Sequence, residues 1–223
     1  MTNLTKPRAI LFDWDNTLVN TWPLIHSALN MTLRHMDHPE WTYERVTKEV
    51  KQSMRESFPA MFGDRWKEAA QHYQQSYRAV HLEQLTPLPD VIEMLDSIPA
   101  HVFVGVVSNK QGPTLRLELE QLGWQKYFKV AVGASDAARD KPHPDPVLLA
   151  LKDSGISPAL DVWFVGDTGV DLGVAEATGS TAILYGDHDF DGDAATYDGF
   201  PYHAHARNHV ELKALIAANV LVR

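Results

Sequence analysis

The chain has 223 residues, 44% of them hydrophobic and 22% charged, which fits one sizeable globular domain or a domain with a small insert. Its net charge of −9 leaves no basic surplus for nucleic acid or an anionic membrane surface. No cysteine is present, so disulfides, thiolate catalysis and Cys-ligated zinc are excluded; residues 1–8 are polar and no stretch reaches the length of a membrane span, so a cytoplasmic protein is expected.

The first predicted element is a strand over Ala9–Phe12, an apolar run of the kind that a parallel strand buried on both faces presents. It ends in Asp13 and Asp15, two carboxylates one residue apart. At the carboxyl edge of an open α/β sheet, where such folds hold ligands, two adjacent acids repel each other unless a cation neutralises them. The plain alternative is a strand that ends in a polar turn.

From 22 to 85 the chain is rich in helix formers. Leu24, Ile25, Ala28, Leu29, Met31 and Leu33 predict a helix over 22–36, and a second, more charged helix is expected over 42–58. Pro59 and Gly63 separate it from a third, capped by Asp64, whose apolar face runs through Trp66, Ala69, Ala70, Tyr73, Tyr77 and Val80. Thr86-Pro87-Leu88-Pro89 reads as a linker. Residues 21–86 are therefore expected to form a small all-α domain inserted after the first strand, with 1–20 and 87–223 forming a discontinuous core.

Beyond Pro89 strands and helices alternate. Helices are expected over 90–97, 113–122, 145–154 and 170–178, the last three closed by Gly123, Gly155 and Gly179. Strands are expected over 101–107, 130–133, 162–165 and Thr181–Tyr185, with a weaker one over 202–206. Asn208 followed by Glu211 resembles a capping box opening a last helix to about residue 219. Repeated strand–helix units imply an α/β fold with a parallel sheet flanked by helices and right-handed crossovers.

Parallel strands bring their carboxyl ends to one edge. That edge would gather Asp13 and Asp15, then Ser108 and Asn109 after the second long strand, Asp167 after a later one, and Lys141 from a Pro-rich loop over 136–146. Several carboxylates with one lysine suit a hard divalent cation, Mg²⁺, and stabilisation of a transferring phosphoryl group. Asp13 is the candidate nucleophile, because a carboxylate can attack phosphorus and divide one hard step into two. Asp15 is the candidate proton carrier, Lys141 the group that offsets the crowded charge, and Ser108 with the amide of Asn109 the phosphoryl binders.

The segments L-F-D-W-D-N-T-L, V-V-S-N-K, D-K-P-H-P-D-P and V-G-D-T-G-V-D resemble, in order and spacing, the four motifs of the haloacid dehalogenase-like phosphatase superfamily. L-E-Q-L-G-W-Q-K-Y-F and P-D-P-V-L-L-A-L look most like its phosphoglycolate phosphatase-type members, and the helical insert falls where that group carries its cap. The resemblance implies a Rossmann-like core, a Mg²⁺-dependent hydrolase of small phosphorylated metabolites, and phosphoglycolate as the substrate to try first. It implies Mg²⁺ bound by Asp13, the backbone carbonyl of Asp15 and Asp167, with Asp171 supporting the metal or pairing with Lys141, and Thr17 orienting the first loop. A carboxylate at Asp15 favours phosphate chemistry over carbon–halogen cleavage. A phosphomutase of the β-phosphoglucomutase type, phosphonate cleavage through Lys48, Lys51 or Lys67, and a non-catalytic binding or regulatory protein are the alternatives.

Two departures stand out. Asn16 replaces the superfamily's usual glycine, with a left-handed backbone still accessible to asparagine, and Asn20 replaces a frequent aspartate at the cap hinge. Lys110 is placed where it could meet substrate phosphate, and Trp22, His26, Arg45, Lys51 and Arg55 are insert residues weighed against ordinary packing or surface roles. His143, between two prolines, reads as a loop residue. Asp187, Asp189, Asp191, Gly192 and Asp198 match the spacing of a calcium loop, but a strand enters it where a helix is required, so it reads as a solvated acidic loop.

Overall fold

The structure is a computed structural model that describes residues 4–79, 81–188 and 196–220. β1 (Ala9–Phe12) is followed by the two-residue strand β2 (Val19–Asn20). The helical segment then holds α1 (Trp22–His35), α2 (Tyr43–Glu49), α3 (Met54–Phe62), a 3₁₀ turn (Gly63–Arg65), α4 (Trp66–Arg78) and α5 (His81–Gln84). β3 (Thr86–Pro87) pairs antiparallel with β2, so the entry and exit of the helical segment are tied together where a plain linker was expected.

The rest alternates: α6 (Val91–Asp96), β4 (Phe103–Gln111), α7 (Gly112–Gln121), β5 (Val130–Ala134), α8 (Asp145–Leu151), β6 (Val162–Gly166), α9 (Gly169–Thr178) and β7 (Thr181–Tyr185). A small hairpin of β8 (Thr196–Tyr197) and β9 (Phe200–Pro201) precedes β10 (Ala204–Ala206) and α10 (His209–Val220). Among the described residues six strands form one parallel sheet in the order β10-β7-β6-β1-β4-β5.

Period-two alternation builds the two faces of this sheet. Ile10, Phe12, Trp163 and Val165 join one apolar layer, and Ala9, Leu11, Val162 and Phe164 join the other. β1 lies between β4 and β6, so the chain leaves it in both directions, the switch point at which open α/β sheets form a crevice. The helical segment packs around a third apolar cluster of its own, including Leu29, Leu33, Phe58 and Phe62.

Several boundaries differ from expectation. The helix predicted over 42–58 is two helices. The chain turns extended at Val50, with φ −85° and ψ 95°, and Ser53 donates its hydroxyl to Asp140 at 2.7 Å instead of continuing a helix. Pro59 sits inside α3, and Gly63 ends it with φ 54°. Asp64 falls in the 3₁₀ turn, leaving Arg65 at the start of α4. β4 extends to Gln111 with an irregular register after Val107, so Ser108, Asn109 and Lys110 lie within the strand. The Glu211 amide donates the expected bond to Asn208 Oδ1 at 3.0 Å, but the Glu211 carboxylate accepts from the amide of Arg207 rather than that of Asn208. Val80 lies outside the described residues, as do Asp189, Asp191 and Gly192 of the acidic loop.

Candidate active site

Strand register assembles the site. Phe12 is level with Val106 on β4 and Val165 on β6, so Asp13, Ser108 and Asp167 emerge together at the carboxyl edge. The Asp13 amide donates to Val165 O at 2.8 Å, which fixes the chain where the strand ends.

Lys141 reaches this edge from the loop before α8. Its Nζ lies 2.8 Å from Asp13 Oδ1 and 2.7 Å from Asp171 Oδ1. Burial works against the ammonium, but Asp13 and Asp171 overcome that and raise its pKa. Asp171 comes from the first turn of α9, where its second oxygen accepts from the Thr168 amide at 3.0 Å and hydroxyl at 2.7 Å. Its approach requires a glycine at 166: a Cβ there would stand 2.3 Å from Asp171 Cγ. Thr17 donates to Asp167 Oδ1 at 3.1 Å.

One oxygen from each of Asp13, Asp167 and Asp171 lies within 4.8 Å of the others. Burial first, then the charges of Asp171 and Asp13, push Asp167 well above the usual carboxylate range, although Thr17 and Lys141 oppose this. Burial also raises Asp171, against the pull of Lys141. Three acids thus face one lysine. Their donors are all oxygens and their charge is under-neutralised, a set that fits a hard divalent cation such as Mg²⁺.

A second buried centre surrounds Lys110. Its Nζ lies 2.7 Å from Asp15 Oδ1 and 3.0 Å from Glu118 Oε2, and it donates to the Tyr77 hydroxyl at 2.6 Å. Glu118, on α7, is fully buried and also accepts from Trp14 Nε1 at 2.7 Å, Tyr77 Oη at 3.0 Å and His81 Nδ1 at 2.9 Å. Burial opposes its ionisation, but Lys110, His81 and Trp14 outweigh burial and hold it below its ordinary range. Burial likewise opposes the Lys110 charge, and Asp15 with Glu118 raises its pKa in spite of it. Lys110 is therefore turned toward Asp15 rather than left solvated, and no described residue bonds Asp15 Oδ2.

Sequence reasoning missed Glu118 and His81. A signal existed for the first: Glu118 falls on the stripe of Leu115, Leu119 and Leu122, where a carboxylate needs a partner. The Asn109 side chain clamps the Lys141 backbone, donating to its O at 3.1 Å and accepting from its N at 3.0 Å. Asn16 has φ 59° as expected, and its Oδ1 also accepts from the amides of Thr21 and Trp22 at 3.1 and 3.2 Å, which caps α1.

A cavity of about 160 Å³ lies between the sheet edge and the helical segment, lined by Asp13, Asp15, Ser108, Lys110, Lys141 and Asp167 among others. Trp22 and Lys51 also line it. Arg55 pairs with Asp140 at 2.7 Å, Lys51 with Asp198, and His26 bonds the carbonyl of Trp41 at 3.1 Å. Arg45 stacks over the Trp41 ring at 4.0 Å, and the His143 amide donates to Asp140 O.

The pattern of the haloacid dehalogenase-like hydrolase family matches residues 10–196. The pyrophosphatase PpaX of Bacillus pumilus (strain SAFR-032) is 31% identical over 179 residues, covering 80% of this chain and 82% of that protein. A phosphoglycolate phosphatase of Escherichia coli O157:H7 is 29% identical over 214 residues, covering 83% of this chain and 84% of that protein. Among solved structures, a haloacid dehalogenase-like hydrolase from Streptococcus pneumoniae superposes with a TM-score of 0.80 at 24% identity, over 96% of this chain and 99% of that one.

Proposed function

The chain belongs to the haloacid dehalogenase-like hydrolases, as a phosphatase, and we propose that it is a Mg²⁺-dependent hydrolase of small phosphate monoesters acting through an aspartyl phosphate on Asp13. The observation that carries this reading is the placement of Asp13 between Lys141 and the carboxylates of Asp167 and Asp171 at the edge of the parallel sheet.

Asp13, Asp167 and the backbone carbonyl of Asp15 would hold Mg²⁺, with Asp171 engaged by Lys141. When bound, the cation neutralises charge on the transferring phosphoryl group and orients its oxygens. Lys141 restrains Asp13 for attack at phosphorus. The ester P–O bond breaks as the bond from Asp13 forms, and Asp15 gives its proton to the departing oxygen. Asp15 then takes a proton from water as that water attacks the aspartyl phosphate, which releases inorganic phosphate and restores Asp13. Ser108 and the Asn109 amide bind phosphoryl oxygens at the end of the apolar part of β4.

In this reading residues 21–86 are a cap over a core made of 1–20 and 87–223. Its support is the separate apolar cluster of the helical segment and the ties it makes across the cavity, Arg55 to Asp140 and Tyr77 to Glu118. The β2–β3 pair is the hinge. Closure excludes bulk water from the aspartyl phosphate.

The test is phosphate release from a panel of monoesters, beginning with phosphoglycolate, in the presence of Mg²⁺. Turnover of at least one ester that is lost on chelation supports the reading. A silent panel overturns it.

A further inference from the structure

Every lysine around the cavity already faces a carboxylate. Three lysines line it, and each faces carboxylates of the chain: Lys141 faces Asp13 and Asp171, Lys110 faces Asp15 and Glu118, and Lys51 faces Asp198. No arginine or histidine among the described residues lines it. Arg55, on α3, turns to buried Asp140 and binds it through both Nε and Nη2, at 3.1 and 2.7 Å. Glu49, exposed at the end of α2, adds another carboxylate to the lining.

The wall supplied by the helical segment is of another kind. It presents Trp22, Leu29, Trp41, Met54, Phe58 and Tyr73. The polar groups it adds are mostly uncharged. Gln52, Gln74 and the Tyr73 hydroxyl all line the cavity, and their side chains hydrogen-bond to no described residue.

These two facts bear on the part of the substrate that leaves. The phosphoryl group occupies the sheet edge, where Lys141 and a divalent cation answer its charge. A second anionic group on the leaving side would lose its hydration against aromatic rings and meet no uncommitted cation. An uncharged ring or hydrocarbon would bury apolar surface there, and a neutral polar edge could bond Gln52, Gln74 or Tyr73.

We infer that the substrate is a monoester carrying one phosphoryl group on an uncharged alcohol with an aromatic or apolar portion, and that compounds with a second anionic group, such as phosphoglycolate and pyrophosphate, are poor substrates. This rests on the phosphatase reading above and narrows it.

The test compares kcat/KM of the full chain with Mg²⁺ for 2-phenylethyl phosphate, ethyl phosphate, phosphoglycolate and pyrophosphate. At least about a tenfold preference for 2-phenylethyl phosphate over both competitors that carry a second anionic group is expected, a difference of about 1.4 kcal/mol. Trp41→Ala is expected to lower the ratio of kcat/KM for 2-phenylethyl phosphate to that for ethyl phosphate about fivefold or more. Equal or better use of phosphoglycolate or pyrophosphate by the wild type overturns the inference. A second arm needs no turnover: calorimetry of the wild type with 3-phenylpropylphosphonate and 3-phosphonopropionate, in which carbon replaces the ester oxygen. Tighter binding of the phenyl compound supports the inference, and equal or tighter binding of the carboxylate, or binding of neither, overturns it. If no ester is hydrolysed yet the phenyl compound binds tighter, the phosphatase reading fails and the reading of the cavity stands.

Discussion

Lys141 and Lys110 are both buried, both held between two carboxylates and both raised above the ordinary lysine range, yet they reach the site from different surroundings. Lys141 meets only groups that the sheet and its loops supply: Asp13, Asp171 and, through its backbone, Asn109. Lys110 meets Asp15 and Glu118, but Glu118 in turn accepts from Tyr77 on α4 and His81 on α5. No side chain of the helical segment bonds Asp13, Lys141 or Asp171, although Ser53 and Arg55 of that segment hold Asp140, next to Lys141. The second centre is complete only with that segment seated, because Tyr77 and His81 leave Glu118 if it swings away. In the proposed mechanism the nucleophile would thus be held by groups of the sheet and its loops, and the proton carrier by a network that includes residues of the helical segment.

The largest expected effect comes from breaking the first centre. Asp13→Asn removes the nucleophile and should lower kcat on the order of 10⁴-fold or more, with the thermal transition preserved. Lys141→Ala leaves Asp13 and Asp171 buried without their cation and should cost about 3–5 kcal/mol of stability. Mg²⁺ should restore part of that loss, read as a larger Mg²⁺-induced rise in Tm for the variant than for the wild type. Lys110→Met attacks the other centre. It acts through Asp15, so kcat should fall about 10²-fold, the low end of the range for general acid–base catalysis, and the pH profile of kcat should shift while that of Lys110→Arg stays closer to wild type.

Glu118→Gln weakens the second centre without emptying it, and kcat should fall about tenfold. It also makes a signed prediction about pH. The folded Glu118 carboxyl lies below its unfolded value of about 4.3, so its ionised form contributes stability above that pH. That contribution is lost as pH falls through the folded value. The stability gap between wild type and Glu118→Gln should therefore be widest near neutrality and close in acid, measured by urea unfolding at pH 7 and below pH 4. A gap that does not change with pH would show that Glu118 is not held as a carboxylate.

The contrast also explains what the sequence made legible. The core announced itself because most groups of the first centre follow an apolar strand or sit in a loop, as Ala9–Phe12 precedes Asp13 and Val162–Gly166 precedes Asp167. Those placements depend on local pattern and on one rule, that parallel strands share an edge. The second centre depends on packing between distant segments. Glu118 sits amid Leu, Arg and Glu residues in a helix that reads as partly solvated, and only its place on the stripe of Leu115 and Leu119 marks it. The break at 50–53 was hidden for the same reason. Ser53 leaves the helical path for Asp140, 87 residues away in the chain, and no local propensity encodes that bond. Pro59 misled in the opposite sense, since a strong helix breaker sits within α3.

The smallest predicted effect separates the two centres most cleanly. The Tyr77 hydroxyl accepts from Lys110 and donates to Glu118, and burial raises its pKa so that it stays a protonated donor. Tyr77→Phe keeps the ring, and with it the contact of Lys110 over the aromatic face at 4.5 Å, while removing both hydrogen bonds. The loss of stability should be about 1–2 kcal/mol. If the helical segment helps to set Asp15 through this hydroxyl, kcat should fall about threefold, an activation change of about 0.6 kcal/mol, with KM for a small ester little changed. Because Tyr77 touches none of Asp13, Lys141 or Asp171, a double variant with Lys141→Arg should show additive losses, whereas one with Glu118→Gln should show less than additive losses. Additivity in both pairs would mean that the lysine at Asp15 works independently of the helices above it.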